Sequence, residues 1–189
     1  MSAATDALMQ RLAARPAVTR TEWPARPAAV LVPLFERADG LHVLLTRRTE
    51  HVSSHKGQVA FAGGKVDPED IDRVDTALRE AEEEIGLAPS LVEVVRAVDL
   101  YRTITGYTVT PVIGVIPPDL PLVPNPHEVA SIFEVPLAFL LDPANHLQVE
   151  VDWNGEPRHY WEMHYGEHRI WGATAAMIVN LSRRLAWPL

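Results

Sequence analysis

Two apolar, partly β-branched runs, AAVLVPLFER (28–37) and LHVLLTRR (41–48), are joined by Asp39-Gly40, and this pairing restricts the fold more than any other feature of the chain. Asp-Gly between such runs marks a tight hairpin, because glycine accepts the positive φ that the turn demands. Further strand-like runs follow at QVAFAGG (58–64), LVEVVRAVDLYRTI (91–104), YTVTPVIGVI (107–116), EVASIFEVP (128–136), and near 147–152 and 158–164. Helical patterns interleave with them. Residues 4–14 read as a short helix, 74–85 as an acidic one stopped by Gly86, 136–141 as another short one, and 172–185 as one with a single buried stripe of Ala173, Met177, Leu181 and Leu185. The order predicts an α/β (α+β) domain in which helices cover both faces of a mixed sheet.

A chain of 189 residues suits one domain. Residues 1–27 read as an N-terminal helix with an extended lead-in carrying Pro16, Pro24 and Pro27, and residues 28–189 as the domain proper. A net charge of −8 argues against a nucleic-acid partner, which needs a basic stripe. Without cysteine there is no disulfide, zinc-thiolate site or thiol nucleophile, in keeping with the cytoplasm. No apolar run approaches the roughly 20 residues that cross a bilayer, so no membrane partner is expected. A homodimer stays open.

The chemistry concentrates in REAEEEIGL (79–87). On a helix Glu80, Glu83 and Glu84 share a face, while Val74, Leu78, Ala81 and Ile85 form a stripe towards the core, so the carboxylates are expected to face water. Clustered carboxylates repel unless a positive charge sits among them, and an oxygen-only set favours Mg²⁺ or Mn²⁺. Arg79, one turn before Glu83, can orient that carboxylate. Spacing alone fits a solvated acidic face equally well. The pair Gly63-Gly64 reads either as a plain turn or as a close approach of backbone to ligand.

Gly64 followed by Arg79-Glu80-Ala81-Glu82-Glu83-Glu84-Ile85-Gly86-Leu87 resembles the Nudix box: G, five residues, E, seven residues, then REUxEExGU with U apolar. The second half matches at every fixed position. In the first half Asp70 stands in place of Glu, and one extra residue separates it from Arg79. The resemblance implies a Nudix-type α/β/α sandwich, metal held by Glu80, Glu83 and Glu84, and Gly63 and Gly64 beside metal and diphosphate. Asp70 becomes a supporting acid.

The stretch LLTRRTEHVSSHKGQVAFAGG (44–64) is similar to the signature preceding the box in coenzyme A pyrophosphatases, LLTxR[SA], three residues, R, three residues, G, three residues, FPGG. Leu44, Leu45, Thr46, Arg48, Gly57, Phe61, Gly63 and Gly64 match; Thr49, Ser53 and Ala62 depart from it. Segments 105–116, 128–143 and 169–178 also look like that subfamily. The resemblance implies hydrolysis of coenzyme A to 3′,5′-ADP and 4′-phosphopantetheine. Arg47, Arg48, His55 and Lys56, the basic groups nearest the Gly pair, are candidate phosphate contacts. His51 and His55 share a zinc-type spacing, but a Gly-bounded loop argues against a common helical face.

Water can be the nucleophile in such a reaction, with Glu83, Glu84 or Glu128 as base. Two rival functions use the same residues: a pyrophosphatase of ADP-ribose or dinucleotides, and a Nudix-fold module that binds a nucleotide without cleaving it.

Overall fold

The computed structural model describes residues 3–15, 17, 26–51, 55–153 and 155–186. In chain order the elements are α1 (Ala3–Ala13), β1 (Arg26–Arg37), β2 (Gly40–Arg48), β3 (Val59–Ala60), β4 (Gly63–Lys65), α2 (Arg73–Ile85), β5 (Glu93–Ala97), β6 (Tyr101–Arg102), β7 (Tyr107–Val115), β8 (Val129–Pro136), α3 (Leu137–Leu141), β9 (Leu147–Trp153), β10 (Glu156–Tyr165), β11 (His168–Trp171) and α4 (Gly172–Leu185). No described helix is long and apolar enough to cross a membrane. Pro16, Pro24 and Ser53 lie outside the described residues.

The predicted hairpin forms, with Arg37 paired to Gly40, whose φ is 127°, and the ladder runs up to Leu34 opposite Val43. Beyond that pair each strand takes a new partner on the same edge. β1 pairs with β4 through Ala28–Val30, and β2 pairs with β3 through Thr46 and Arg47. The segment expected as one strand over 58–64 is therefore two short ones. The chain crosses from the edge of β2 to the edge of β1 between them, burying Phe61 and Ala62 on the way. The Leu31 amide donates to the Ala62 carbonyl at 2.9 Å and fixes the crossing.

The other edge of β1 runs parallel to β7 from Arg26↔Tyr107 to Leu34↔Val115, and β8 closes the free side of β2. The run 91–104 is also split. Pro111 of β7 accepts from the Val98 amide but has no N–H to return, so the ladder lapses between β5 and β6.

Alternation along β1 sorts the core into two layers. Ala29, Leu31 and Phe35 pack with Ala77, Ala81 and Ile85 of α2. Ala28, Val32 and Leu34 face Leu8 and Leu12 of α1, Leu140 of α3 and Ile178 of α4. Helices thus cover both faces of the mixed sheet. A second sheet, β9-β10-β11, was not foreseen, because the four-residue β11 merges with the start of the last helix when read as sequence. α4 occupies the predicted span, yet it is buried well beyond one stripe, through Thr174–Val179, since α1, α3 and β10 all pack around it.

Helix α2 starts where Asp72 accepts hydrogen bonds from the Val74 and Asp75 amides at 2.7 and 2.9 Å, and ends at Gly86 in the left-handed region at φ 69°. Asp72→Ala removes the oxygen that accepts both bonds and is expected to cost about 1 kcal/mol of folding stability. A urea midpoint unchanged from wild type, at equal slope, would contradict this account of the helix start.

Candidate active site

Gly63 and Gly64 lie in β4 with neither φ positive, so their value is the missing side chain rather than a turn conformation. A Cβ on Gly63 would strike the Ala29 carbonyl oxygen and come within 2.6 Å of the Val30 Cα. A Cβ on Gly64 would land on the Glu80 carboxylate. Glycine at both positions lets β4 lie against β1 and Glu80 lie against β4.

The three helix carboxylates are not equivalent. Glu83 is solvent-facing, its side chain 59% exposed. Glu84 corrects the expectation of a water-facing acid, because it is only 4% exposed. It sits one turn after Ala81, at the border of the apolar stripe, and the Gly63 segment and the end of β2 cover it. Its Oε2 accepts from the Gly63 amide at 3.3 Å and its Oε1 faces Arg48 Nη1 at 3.5 Å. Burial pushes its pKa up to about 7, against the pull of Arg48 and the Gly63 amide, with Glu128 and Glu80 adding repulsion. Burial also raises the Glu80 pKa, although Arg79 opposes it.

Arg79 gathers the acids. Its Nε and Nη2 bind the two oxygens of Asp70 at 2.8 and 3.1 Å, and Nη1 reaches Glu80 at 3.0 Å and Glu83 at 3.2 Å. The Lys65 carbonyl accepts from Nη2 at 3.1 Å. The Asp70 side chain is 2% exposed, and the Arg79 hydrogen bonds hold its carboxyl well below the usual range. The shorter acid and the extra residue are thus absorbed in the loop before α2, where the Asp67 amide and the Thr76 hydroxyl also donate to Asp70. Asp67, 3.8 Å from Arg79, is a further member that no spacing rule signalled.

The basic residues divide. Arg48 lies on the α2 side of β2, like Leu44, and its Nη2 stands 4.0 Å from Glu128. Strand alternation sends the exposed Arg47 to the opposite side, with Leu45, so the structure does not bring it to the acids. His55, at φ 58°, contacts Gln58 through Nδ1 at 2.8 Å, and Lys56 is exposed beside it on the β2–β3 connection. Glu128 is half-exposed at the mouth of the site; its carbonyl accepts from the Thr49 amide at 2.9 Å.

The NUDIX domain family model matches residues 25–153. The chain belongs to the Nudix family. The Escherichia coli protein called uncharacterized Nudix hydrolase NudL is 42% identical over 172 residues, which cover 90% of this chain and 88% of that protein. Solved Nudix structures share the fold. The MutT/nudix family protein of Enterococcus faecalis has a TM-score of 0.56 at 17% identity over 98% of this chain and 70% of its own. RenU of M. smegmatis gives 0.50 at 28% identity over 61% and 73%, and a C. elegans Ap4A hydrolase gives 0.51 at 20% over 58% and 80%.

Nudix hydrolases act on small nucleoside diphosphate derivatives and generally require a divalent cation. The donor chemistry here fits one. Glu80 and Glu84 are desolvated, held towards neutrality, and rest beside the bare backbone of Gly63 and Gly64. Among the described residues no three acids or imidazoles converge on one metal-sized point. Arg79 and Arg48 stand among the carboxylates instead.

A carboxyl whose pKa is raised on folding stabilises the fold fully below its ordinary value, and that contribution is lost as pH rises through the folded value. For Glu84 the window runs from 4.5 to about 7. With metal chelated, Glu84→Gln should match wild-type stability near about pH 4 and exceed it near about pH 8, by up to about 3 kcal/mol. Urea midpoints of the two proteins at both pH values measure the gap, which must widen with pH.

Proposed function

We propose that this Nudix hydrolase cleaves the diphosphate of coenzyme A or its acyl derivatives, giving 3′,5′-ADP and 4′-phosphopantetheine or its acyl form, inside the cell and with Mg²⁺ or Mn²⁺. The carrying observation is the burial of Glu84 between the Gly63 amide and Arg48, which joins the acidic helix to the segment 44–64 that resembles the coenzyme A signature. Ala62, a departure from that signature, keeps its buried backbone contact with Leu31.

In this reading Glu80, Glu83 and Glu84 hold the cation. When bound, the cation neutralises the diphosphate and polarises the bond to be broken. Arg79, fixed by Asp70, orients Glu80 and Glu83. The Gly63-Gly64 backbone, lying beside Glu80 and Glu84, approaches the diphosphate, while Arg48, His55 and Lys56 meet the substrate phosphates. Arg47 takes no part, being on the other side of β2. One of Glu83, Glu84 and Glu128 removes the proton of the attacking water.

Chelation with EDTA should abolish turnover and Mg²⁺ or Mn²⁺ should restore it. Glu84→Gln should fall below about a tenth of wild-type turnover, a barrier change above about 1.4 kcal/mol. Product masses from coenzyme A, 3′-dephospho-coenzyme A and ADP-ribose decide the substrate. Coenzyme A is expected to be cleaved fastest. Faster cleavage of ADP-ribose transfers the assignment to the ADP-ribose class, and metal-bound protein that cleaves none of them is a binding module.

A further inference from the structure

We propose that Arg48 is a resident counter-cation, which holds Glu84 and Glu128 together before metal enters and competes with the divalent cation for Glu84. The inference rests on the reading of Glu84 as a metal ligand.

The backbone builds this position deliberately. β2 and β8 pair in register to Arg47↔Ser131, then skip Ala130, so that Arg48 faces Val129. The irregularity brings Glu128, the residue before Val129, alongside Arg48, and the Thr49 amide clamps it there through the Glu128 carbonyl. One guanidinium thus stands between an acid of α2 and an acid of the loop that enters β8.

Its grip is loose. The separations are 3.5 Å to Glu84 and 4.0 Å to Glu128, whereas a charge-assisted bond closes to about 2.7–2.9 Å. The Arg48 Nε is buried and has no partner among the described residues. Other arginines of this chain close fully on carboxylates: Arg79 takes both oxygens of Asp70, and Arg37 takes both oxygens of Glu134. Arg79 is committed to Asp70, which leaves Arg48 as the positive charge facing the buried Glu84. A guanidinium that bridges two acids at such long separations gives up the buried one at small loss to an ion that bonds its oxygens directly. It then presents its Nη and Nε donors to the diphosphate, so substrate follows metal.

Mn²⁺ binding without substrate tests this, followed by the electron paramagnetic signal of free Mn²⁺ at about pH 8.5, where the carboxylates are ionised. Two neutral variants, Arg48→Gln and Arg48→Met, should bind Mn²⁺ about 10-fold more tightly than wild type, since a nearby unit charge no longer repels the cation. Arg48→Lys keeps the charge and should stay within about threefold of wild type. In turnover the neutral variants should reach half-saturation at lower metal while their substrate KM rises, a split that a purely structural residue would not produce. Thermal unfolding identifies any variant that does not fold, and the other neutral variant then carries the test. Wild type binding Mn²⁺ with folded neutral variants no tighter overturns the role of Arg48 alone. Wild type failing to bind Mn²⁺ overturns the metal reading and this inference together.

Discussion

Burying the Glu84 carboxylate is the constraint on which the rest of the structure turns. A desolvated carboxylate is expensive, and among the described residues its polar contacts are one long amide hydrogen bond and one long guanidinium contact. The sheet is arranged so that both contacts exist. β1 and β2 part after Leu34 and Val43, the wedge between them admits β3 and β4, and β4 carries the Gly63 amide to the acid. The far end of β2 carries Arg48 to its other side. A hairpin paired along its whole length would have left no place for either.

Glycine and arginine divide the work of holding four acids close together. Gly63 and Gly64 remove side chains where β1 and Glu80 must come near, which is a steric role. Arg79 supplies charge but is saturated by Asp70, Glu80, Glu83 and the Lys65 carbonyl, so it sets orientation and has little left to give. The consequence is an electrostatic gradient across the helix. Glu83 is solvated, Glu80 is intermediate, and Glu84 is dry and resists ionisation. The dry acid is the one with most to gain from a hard cation.

Much of this was legible in residue patterns, and the boundary has physical causes. The hairpin, α2, its Gly86 stop and the span of α4 depend on local rules of turn chemistry and helical period, which act within a few residues. The acids on α2 followed from the same period. The burial of Glu84 did not, because a helical wheel marks which residues share a face but not what the sheet lays over its border. Arg47 and Arg48 look equivalent as neighbours in sequence, yet strand alternation sends them to opposite sides once the sheet exists. The break between β5 and β6 did not follow from the run 91–104 itself, because its cause, Pro111, lies on the partner strand β7.

Asp70 shows how far the site tolerates change at a distance from the acids. Relative to the family pattern it is one methylene shorter and one residue further from Arg79. The extra residue goes into the stretch between Asp70 and the start of α2 at Arg73, and the carboxylate still meets Arg79 at 2.8 and 3.1 Å. A loop can take up such a change because only the end point of the side chain is fixed. The helix cannot: moving Glu80 or Glu84 by one residue would rotate it by about 100° away from the glycine strand. That asymmetry explains why the second half of the motif holds at every fixed position while the first half drifts.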